Sequence, residues 1–190
     1  MNAPTLLLVS SLLGCVMVSC NSNGSEPDAG PSNLAEPVQA MDVLVREGMN
    51  KLAKKGDVYL AGQPSPQDLA WFDQQGVGFV INLRKGSEMN FDEEKICADL
   101  GMTYAELPWN GADELTDEVF DAGRSLLESA ASPVLLHCAS SNRVGPIWMA
   151  WQVLDRGADL ETATQEAKLA GMRTPAYESM ARDYIARKQR

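Results

Sequence analysis

Short apolar runs alternate with amphipathic stretches along most of this 190-residue chain. The runs GDVYLAG, GFVINLR, MTYAELP and PVLLH have the length and composition of buried β-strands. Each is followed by a stretch with helical spacing of its apolar residues. Strands that alternate with helices along a chain build parallel sheets. The sequence therefore predicts an α/β fold, with a parallel sheet of about four strands and helices on both faces.

The helices carry clear boundary signals. SPQDLAWFDQQG begins with Ser65 as N-cap and Pro66 in the first turn, and it ends at Gly76. The stretch GPIWMAWQVLDRG is apolar on most sides, which indicates a central and buried helix. Two further helices, near residues 160 to 170 and 175 to 188, are expected to close the chain.

Parallel sheets bind ligands at the carboxyl ends of their strands. Four segments are therefore expected to share one edge of the sheet. They are Gly62-Gln63-Pro64, Arg84-Lys85, residues 108 to 114, and residues 137 to 145, which read HCASSNRVG.

The loop HCASSNRVG is suited to hold an anion beside a thiolate. A cysteine at a helix N-terminus lies near unpaired N–H groups and the positive end of the helix dipole, and both favour its thiolate form. Arg143 adds a planar guanidinium that matches two oxygens of a tetrahedral anion. Small residues between Cys138 and Arg143 let the backbone amides turn inward.

Five pieces of the chain, in order, resemble the cysteine-based protein tyrosine and dual-specificity phosphatases. They are YLAGQPSPQDL, VINLR, ELPWNGADELT, HCASSNRVG with IWMAW, and LAGMR. The similarity is greatest to the bacterial branch called the beta-lactamase hydrolase-like, phosphatase-like domain. It implies a three-layer phosphatase fold that covers about residues 55 to 175.

The resemblance also implies residue roles. Cys138 would be the nucleophile, Arg143 the phosphate ligand, and an acid after the third strand the proton donor, for which Asp113 is preferred over Glu114 and Asp117. His137 is expected to support the loop. Arg84 would order it or meet substrate, although a plain surface charge is the more ordinary interpretation. The expected phosphate-binding positions are Ala139, Ser140, Ser141, Asn142, Val144 and Gly145.

Two departures keep other functions open. Four residues separate Cys138 from Arg143, where the phosphatase signature has five, and the shorter spacing is that of rhodanese-type sulfurtransferases with a cysteine persulfide. Val144 stands where phosphatases usually carry a hydroxyl that helps the thiolate leave. The expected function is hydrolysis of phosphate monoesters through a phosphocysteine. The alternatives are a rhodanese-like sulfurtransferase that uses a Cys138 persulfide, or a non-catalytic anion- or partner-binding lipoprotein.

The composition limits which molecules the protein is expected to bind. The net charge of −10 disfavours nucleic acid and anionic membrane surfaces, so the expected partner is a small anionic substrate or a phosphorylated protein. With a single histidine and no Cys-x-x-Cys pair, the sequence predicts no metal site, and it indicates no cofactor.

The first twenty residues form an uncharged apolar run that is short for a bilayer span. The pattern indicates a lipoprotein-type signal peptide over residues 1 to 20, with lipidation at Cys20 preferred over Cys15. Residues 21 to 40 resemble a flexible linker, and residues 41 to 190 form the folded domain. The expected location is the periplasm or cell envelope of a bacterium, on the outer membrane, with the N-terminal lipid as the only membrane contact.

The folded region contains two cysteines, Cys97 and Cys138. In an oxidising compartment the two could form a disulfide. Cys97, however, shares an apolar helical stripe with Ile96 and Leu100. The sequence therefore favours a buried, free thiol at position 97.

Overall fold

The computed structural model describes residues 40 to 131 and 133 to 190. The predicted signal peptide, most of the predicted linker, and Cys15 and Cys20 lie outside this range, and these remain predictions. None of the helices in the described residues is long and apolar enough to cross a bilayer.

The sheet has six strands within the described residues, so the expectation of about four was too low. In chain order the strands are β1 (Asp42–Leu44), β2 (Leu52–Lys55), β3 (Val58–Ala61), β4 (Phe79–Asn82), β5 (Thr103–Glu106) and β6 (Val134–His137). Their spatial order is β1-β2-β3-β6-β4-β5. The pairs β3–β6, β6–β4 and β4–β5 are parallel, as predicted, whereas β1 and β2 extend the sheet in antiparallel fashion.

In the described part of the chain, six α-helices cover the two faces of the sheet. They are α1 (Pro66–Gln74), α2 (Glu93–Asp99), α3 (Asp117–Ser129), α4 (Val144–Leu154), α5 (Leu160–Ala170) and α6 (Pro175–Lys188), with 3₁₀ turns at Gly86–Glu88 and Ala112–Glu114. The α1 N-terminus carries the predicted cap, because the Ser65 hydroxyl accepts a hydrogen bond from the Asp68 backbone N–H at 3.2 Å.

A hydrophobic cluster lies between the sheet and the helices on each of its two faces. On one face, Leu69 and Phe72 of α1 and Cys97 of α2 pack against alternate residues of β3, β4 and β6, such as Leu135. On the other face, α4 packs against α3, α5 and α6 and covers residues such as Leu136. Every α4 residue from Val144 to Val153 is buried, which confirms the predicted central helix.

The cysteine prediction is confirmed as well. Cys97 is buried in α2 and its thiol is free. It belongs to the cluster that contains α1 and α2, whereas Cys138 belongs to the cluster on the opposite face of the sheet. Burial, with a smaller effect from the charge of Glu93, raises the pKa of Cys97 to about 12. A thiol in this setting is unreactive at neutral pH.

The carboxyl ends of the parallel strands meet at one edge, as expected. Backbone hydrogen bonds join the segments there: Gln63 N–H donates to Ala139 O at 3.2 Å, and Leu83 N–H donates to His137 O at 3.0 Å. Gly62, directly after β3, lies between the carbonyl oxygens of Asn50 and Ala139. The loop after β6 is therefore held by the segments that follow β3 and β4.

Gly62 allows this close approach because it has no side chain. A methyl group added at Gly62 would lie 2.1 Å from the Asn50 carbonyl oxygen. We expect Gly62→Ala to lower the free energy of unfolding by roughly 1–3 kcal/mol, the range for overpacked sites. Gly78→Ala is the matched control, because nothing lies within 4 Å of a methyl group added there. Urea denaturation measures both variants, and equal stability of the two would contradict this account.

Candidate functional site at the carboxyl edge of the sheet

The loop between β6 and α4 contains the predicted nucleophile. Cys138 follows the last residue of β6 and is only 1% exposed. Arg143 lies directly before α4 and is 6% exposed. Ser141 between them has a φ of 60°, in the left-handed region that non-glycine residues seldom adopt. The four-residue spacing is thus accommodated by a sharp turn at Ser141.

Ser141 is enclosed by its surroundings. Its side chain is fully buried, and its hydroxyl oxygen has no hydrogen-bond partner among the described residues. Gly171, with a φ of 128°, packs against it, so that a methyl group added at Gly171 would lie 3.1 Å from Ser141 Cβ. The connection between α5 and α6 therefore forms one wall of the loop.

Asn142 fastens the loop to the same connection. Its Oδ1 accepts hydrogen bonds from the backbone N–H groups of Arg173 at 2.8 Å and Thr174 at 3.2 Å, and its Nδ2 donates to Thr174 Oγ1 at 2.8 Å. An amide side chain with three bonds to one segment fixes that segment firmly. Asn142 is one of the predicted phosphate-binding positions, and its side chain therefore makes a structural contact.

Arg143 is held by a carboxylate that the sequence analysis did not identify. Its Nη1 and Nη2 donate to Glu88 Oε2 and Oε1 at 2.9 and 2.8 Å, a bidentate pair. Nη1 also lies 2.8 Å from Trp109 O and 3.2 Å from Leu83 O. The guanidinium therefore joins the segments after β4 and β5 to the loop after β6.

These contacts change the pKa of both partners. Hydrogen bonding from Arg143, against a smaller opposing effect of burial, lowers the pKa of Glu88 from 4.5 to about 2. Burial acts to lower the pKa of Arg143, but the Glu88 carboxylate and a Cys138 thiolate raise it above its ordinary value. Both partners are therefore charged at neutral pH, and the Arg143 guanidinium lies beside Cys138.

His137 is the last residue of β6, directly before Cys138, and it is fully buried. Its Nε2 is 3.1 Å from Oε2 of Glu93, a side chain that is 1% exposed, although the two atoms are not aligned as a hydrogen bond. Glu93 Oε1 accepts a hydrogen bond from Gln63 Nε2 at 2.8 Å, and Tyr104 OH donates to Glu93 Oε2 at 3.3 Å. His137 thus lies against a buried and hydrogen-bonded carboxylate on α2.

Arg84 links the two sides of the site. Its Nη1 donates to Gln63 Oε1 at 2.5 Å, and its Nη2 donates to the backbone oxygen of Glu88. A polar chain therefore runs from His137 through Glu93, Gln63 and Arg84 to Glu88, which holds Arg143. The structure places Arg84 in this chain, half-buried, so the interpretation as a plain surface charge was wrong.

The three candidate acids make no direct contact of this kind with the loop: in the described residues no hydrogen bond or ion pair joins Asp113, Glu114 or Asp117 to residues 137 to 145. Glu114 accepts hydrogen bonds from Lys85 Nζ at 2.6 Å, which lowers its pKa, and from Asn110 N–H at 2.8 Å. Asp117 pairs with Arg187. Asp113 is exposed in a 3₁₀ turn and borders a cavity of about 590 Å³ between that turn, α3 and α6. Among the residues that the structure describes, no basic side chain forms an ion pair with Asp113.

Sequence reasoning missed Glu88 and Glu93. It assigned no role to Gln63 or Arg173, although Gln63 lies in a segment predicted at this edge of the sheet and Arg173 ends the LAGMR motif. One signal was available: Glu93 stands one helical turn before Cys97 and so shares its buried stripe. A carboxylate on a buried face needs a polar partner. Within the described residues, no three His, Cys, Asp or Glu side chains cluster as a metal site.

The sequence matches the model of a known protein family, and this family is consistent with the observed fold. The family described as "Beta-lactamase hydrolase-like protein, phosphatase-like domain" matches residues 53 to 155. No curated protein matches the sequence.

Three solved structures illustrate the likeness. A mutant form of Tk-PTP is 19% identical with a TM-score of 0.62, over 71% of this chain and 93% of that one. P. aeruginosa TpbA is 24% identical with a TM-score of 0.60, over 79% and 90%. PTPMT1 is 17% identical with a TM-score of 0.59, over 70% and 91%. A variant of TpbA was crystallised with pTyr. At sequence identities of 17 to 24%, this similarity shows a shared fold.

The Glu88–Arg143 pair predicts a specific pH dependence of stability. We expect Glu88→Gln to lower the free energy of unfolding at pH 7 by roughly 1–2 kcal/mol, at the low end for charged hydrogen bonds because Glu88 is partly exposed. Since the pKa of Glu88 is lowered by folding, its contribution is fully present above about pH 4.5 and is lost as pH falls toward 2. When both proteins are denatured at pH values from 7 to 2, the difference in their free energies of unfolding should shrink between about pH 4.5 and 2. A difference that stays constant would contradict this assignment.

Proposed function

The chain belongs to the family of the beta-lactamase hydrolase-like protein, phosphatase-like domain, and from that membership we propose that it is a cysteine-dependent phosphatase acting on phosphate monoesters. One observation carries the proposal. Cys138 and Arg143 lie together, buried, at the N-terminus of the central helix α4, where backbone N–H groups and the helix dipole favour anions.

The proposed reaction has two steps. The thiolate of Cys138 attacks phosphorus, the S–P bond forms, and the bond from phosphorus to the ester oxygen breaks. An acid protonates the leaving oxygen, and we assign this role to Asp113. Water then attacks the phosphocysteine, the S–P bond breaks, and inorganic phosphate and the thiolate are released.

The loop and its support suit this sequence of events. The amides of Ala139 to Arg143, with those of Val144 and Gly145 at the start of α4, would bind the phosphoryl oxygens. Arg143 would balance the charge of the thiolate, and Glu88 would hold Arg143 in place. His137 and Arg84 would support the loop from either side.

The proposed substrate is a small phosphate monoester or a phosphorylated protein. TpbA, which shares the fold, was crystallised with pTyr, and an aryl phosphate is thus a reasonable first substrate. The net charge of −10 favours selection of anions by a local positive site rather than by the whole surface.

A sulfurtransferase is the second candidate, because two features of the loop favour it. Only four residues separate Cys138 from Arg143, which leaves a smaller cradle than five. Val144, which follows Arg143, is fully buried and offers no hydroxyl to the departing thiolate. A persulfide sulfur on Cys138 needs neither a large cradle nor that hydroxyl. A non-catalytic anion- or partner-binding protein is the third candidate.

We also propose that the protein is anchored in the bacterial cell envelope by lipid on Cys20, with Cys15 as the alternative. The proposal rests on the apolar, uncharged run of residues 1 to 20 and the polar segment after it. Mass spectrometry of the mature N-terminus tests it, and an unmodified N-terminus at Met1 would contradict it.

The first activity test is hydrolysis of an aryl phosphate by the purified protein between pH 5 and 8 under reducing conditions. We expect turnover in the unmodified protein and none above background in Cys138→Ser, because the nucleophile is lost. Cys97→Ser is the matched control, since that thiol is buried on the other face of the sheet, and it should retain activity. Absence of turnover in the unmodified protein would reject the phosphatase proposal, and transfer from thiosulfate would then be measured.

Asp113→Asn tests the assignment of the acid. Loss of a general acid commonly lowers the rate by 10²–10⁴-fold, and we expect a decrease of roughly that size with an alkyl phosphate. The decrease should be smaller with a 4-nitrophenyl ester, whose leaving group needs little protonation. Glu114→Gln and Asp117→Asn are the controls. A larger loss in either of them would move the role away from Asp113.

A further inference from the structure

Arg143 and Arg173 both lie at the loop of residues 137 to 145, but they differ in how many of their hydrogen-bond donors are used by the protein itself. Arg143 is 6% exposed, and both of its terminal nitrogens donate to protein oxygens, including Glu88. Arg173 is exposed on the outer side of the loop. The cation that faces an incoming ligand from the solvent side is therefore Arg173 rather than Arg143.

Arg173 is attached to the loop itself. Its Nη2 donates to Ser140 Oγ at 2.8 Å, its Nη1 lies 3.3 Å from Ser140 O, and its backbone N–H donates to Asn142 Oδ1 at 2.8 Å. The guanidinium thus lies beside a residue two positions from Cys138. Its Nη1 also lies 3.3 Å from Gly171 O. These contacts occupy three of the five N–H donors of the guanidinium, so two remain available to a ligand.

The charge of Arg173 is not neutralised by a neighbouring acid. Across residues 40 to 131 and 133 to 190, no carboxylate forms an ion pair with it, although acidic residues outnumber basic ones by 26 to 16 in the full sequence. Six of the other arginines do have carboxylate partners: Arg46, Arg124, Arg143, Arg156, Arg182 and Arg187. Among the described residues Arg84 and Arg190 also lack a carboxylate partner, but Arg84 is half-buried and donates to Gln63 and to the backbone oxygen of Glu88. Arg173 is therefore the exposed, unpaired arginine that contacts the loop.

Beside Arg173 there is room for part of a substrate. A cavity of about 440 Å³ lies between the end of α5 and the start of α6, lined by Lys168, Met172, Arg173, Thr174, Pro175 and Glu178. Arg173 borders this cavity and also contacts Ser140, so its side chain lies between the loop and the cavity.

We propose that Arg173 is a specificity-determining residue that binds a second anionic group of the substrate, next to the phosphoryl group held by the loop. The proposal rests on the proposed function and narrows it. The preferred substrates would be phosphate esters that carry another phosphate or a carboxylate within a few bonds of the scissile phosphorus. Charged and bidentate hydrogen bonds from arginine suit such groups.

The test compares binding of orthophosphate and pyrophosphate by calorimetry, with the full chain carrying Cys138→Ser so that neither probe reacts. We expect pyrophosphate to bind about tenfold more tightly than orthophosphate, the size of one charged hydrogen bond. Arg173→Gln in the same background should bring this ratio close to one. Arg156→Gln removes the same charge from an exposed arginine beyond the other end of α4, and it should leave the ratio unchanged.

The other outcomes separate the two proposals. No binding of orthophosphate would count against the phosphatase function itself. Binding of orthophosphate without a preference for pyrophosphate would overturn only the role of Arg173. Equal weakening of both probes by Arg173→Gln would also overturn it, because Arg173 would then merely support the loop. If Arg173→Gln does not fold, Arg173→Lys replaces it, with at least a threefold fall in the ratio expected, and an unchanged ratio would contradict the proposal.

Discussion

The pairing of Arg143 with Glu88 is the interaction on which the rest of the site depends. An arginine that is only 6% exposed requires a compensating charge and several acceptors for its guanidinium. Glu88 supplies the charge, and the backbone oxygens of Leu83 and Trp109 supply further acceptors. Removal of any of these would leave a buried donor unsatisfied, which costs more than a single hydrogen bond contributes. One side chain thus brings three separate segments of the chain to the same place.

Much of this arrangement follows from local sequence. The strands before Gly62, Arg84 and Cys138 are short apolar runs, and their parallel pairing brings those residues to one edge. The all-round apolar character of α4 likewise indicated its central position. These features depend on the alternation and periodicity of apolar residues, which are visible in the sequence without knowledge of the distant contacts.

Other features depend on contacts between distant residues. β2 has the sequence LAKK, which lacks the composition of a strand, and it forms because it pairs with β3 across the turn at Gly56. Glu93 and Gln63 are separated by thirty positions and meet only after folding. Arg84 was interpreted as a surface charge because its partners, Gln63 and Glu88, are not evident from spacing. Polar networks of this kind have no periodic signal, so the sequence locates the loop but not its support.

Ser141 and Gly171 show how closely two distant positions can depend on each other. Ser141 holds the left-handed turn that shortens the loop, and Gly171 leaves it the space to do so. A side chain at position 171 would meet both an unfavourable φ and the Ser141 methylene, so its cost would depend on which residue stands at position 141. The two positions should therefore change together in evolution and in protein engineering. A longer loop grafted into this chain would require redesign of the turn between α5 and α6, thirty residues away.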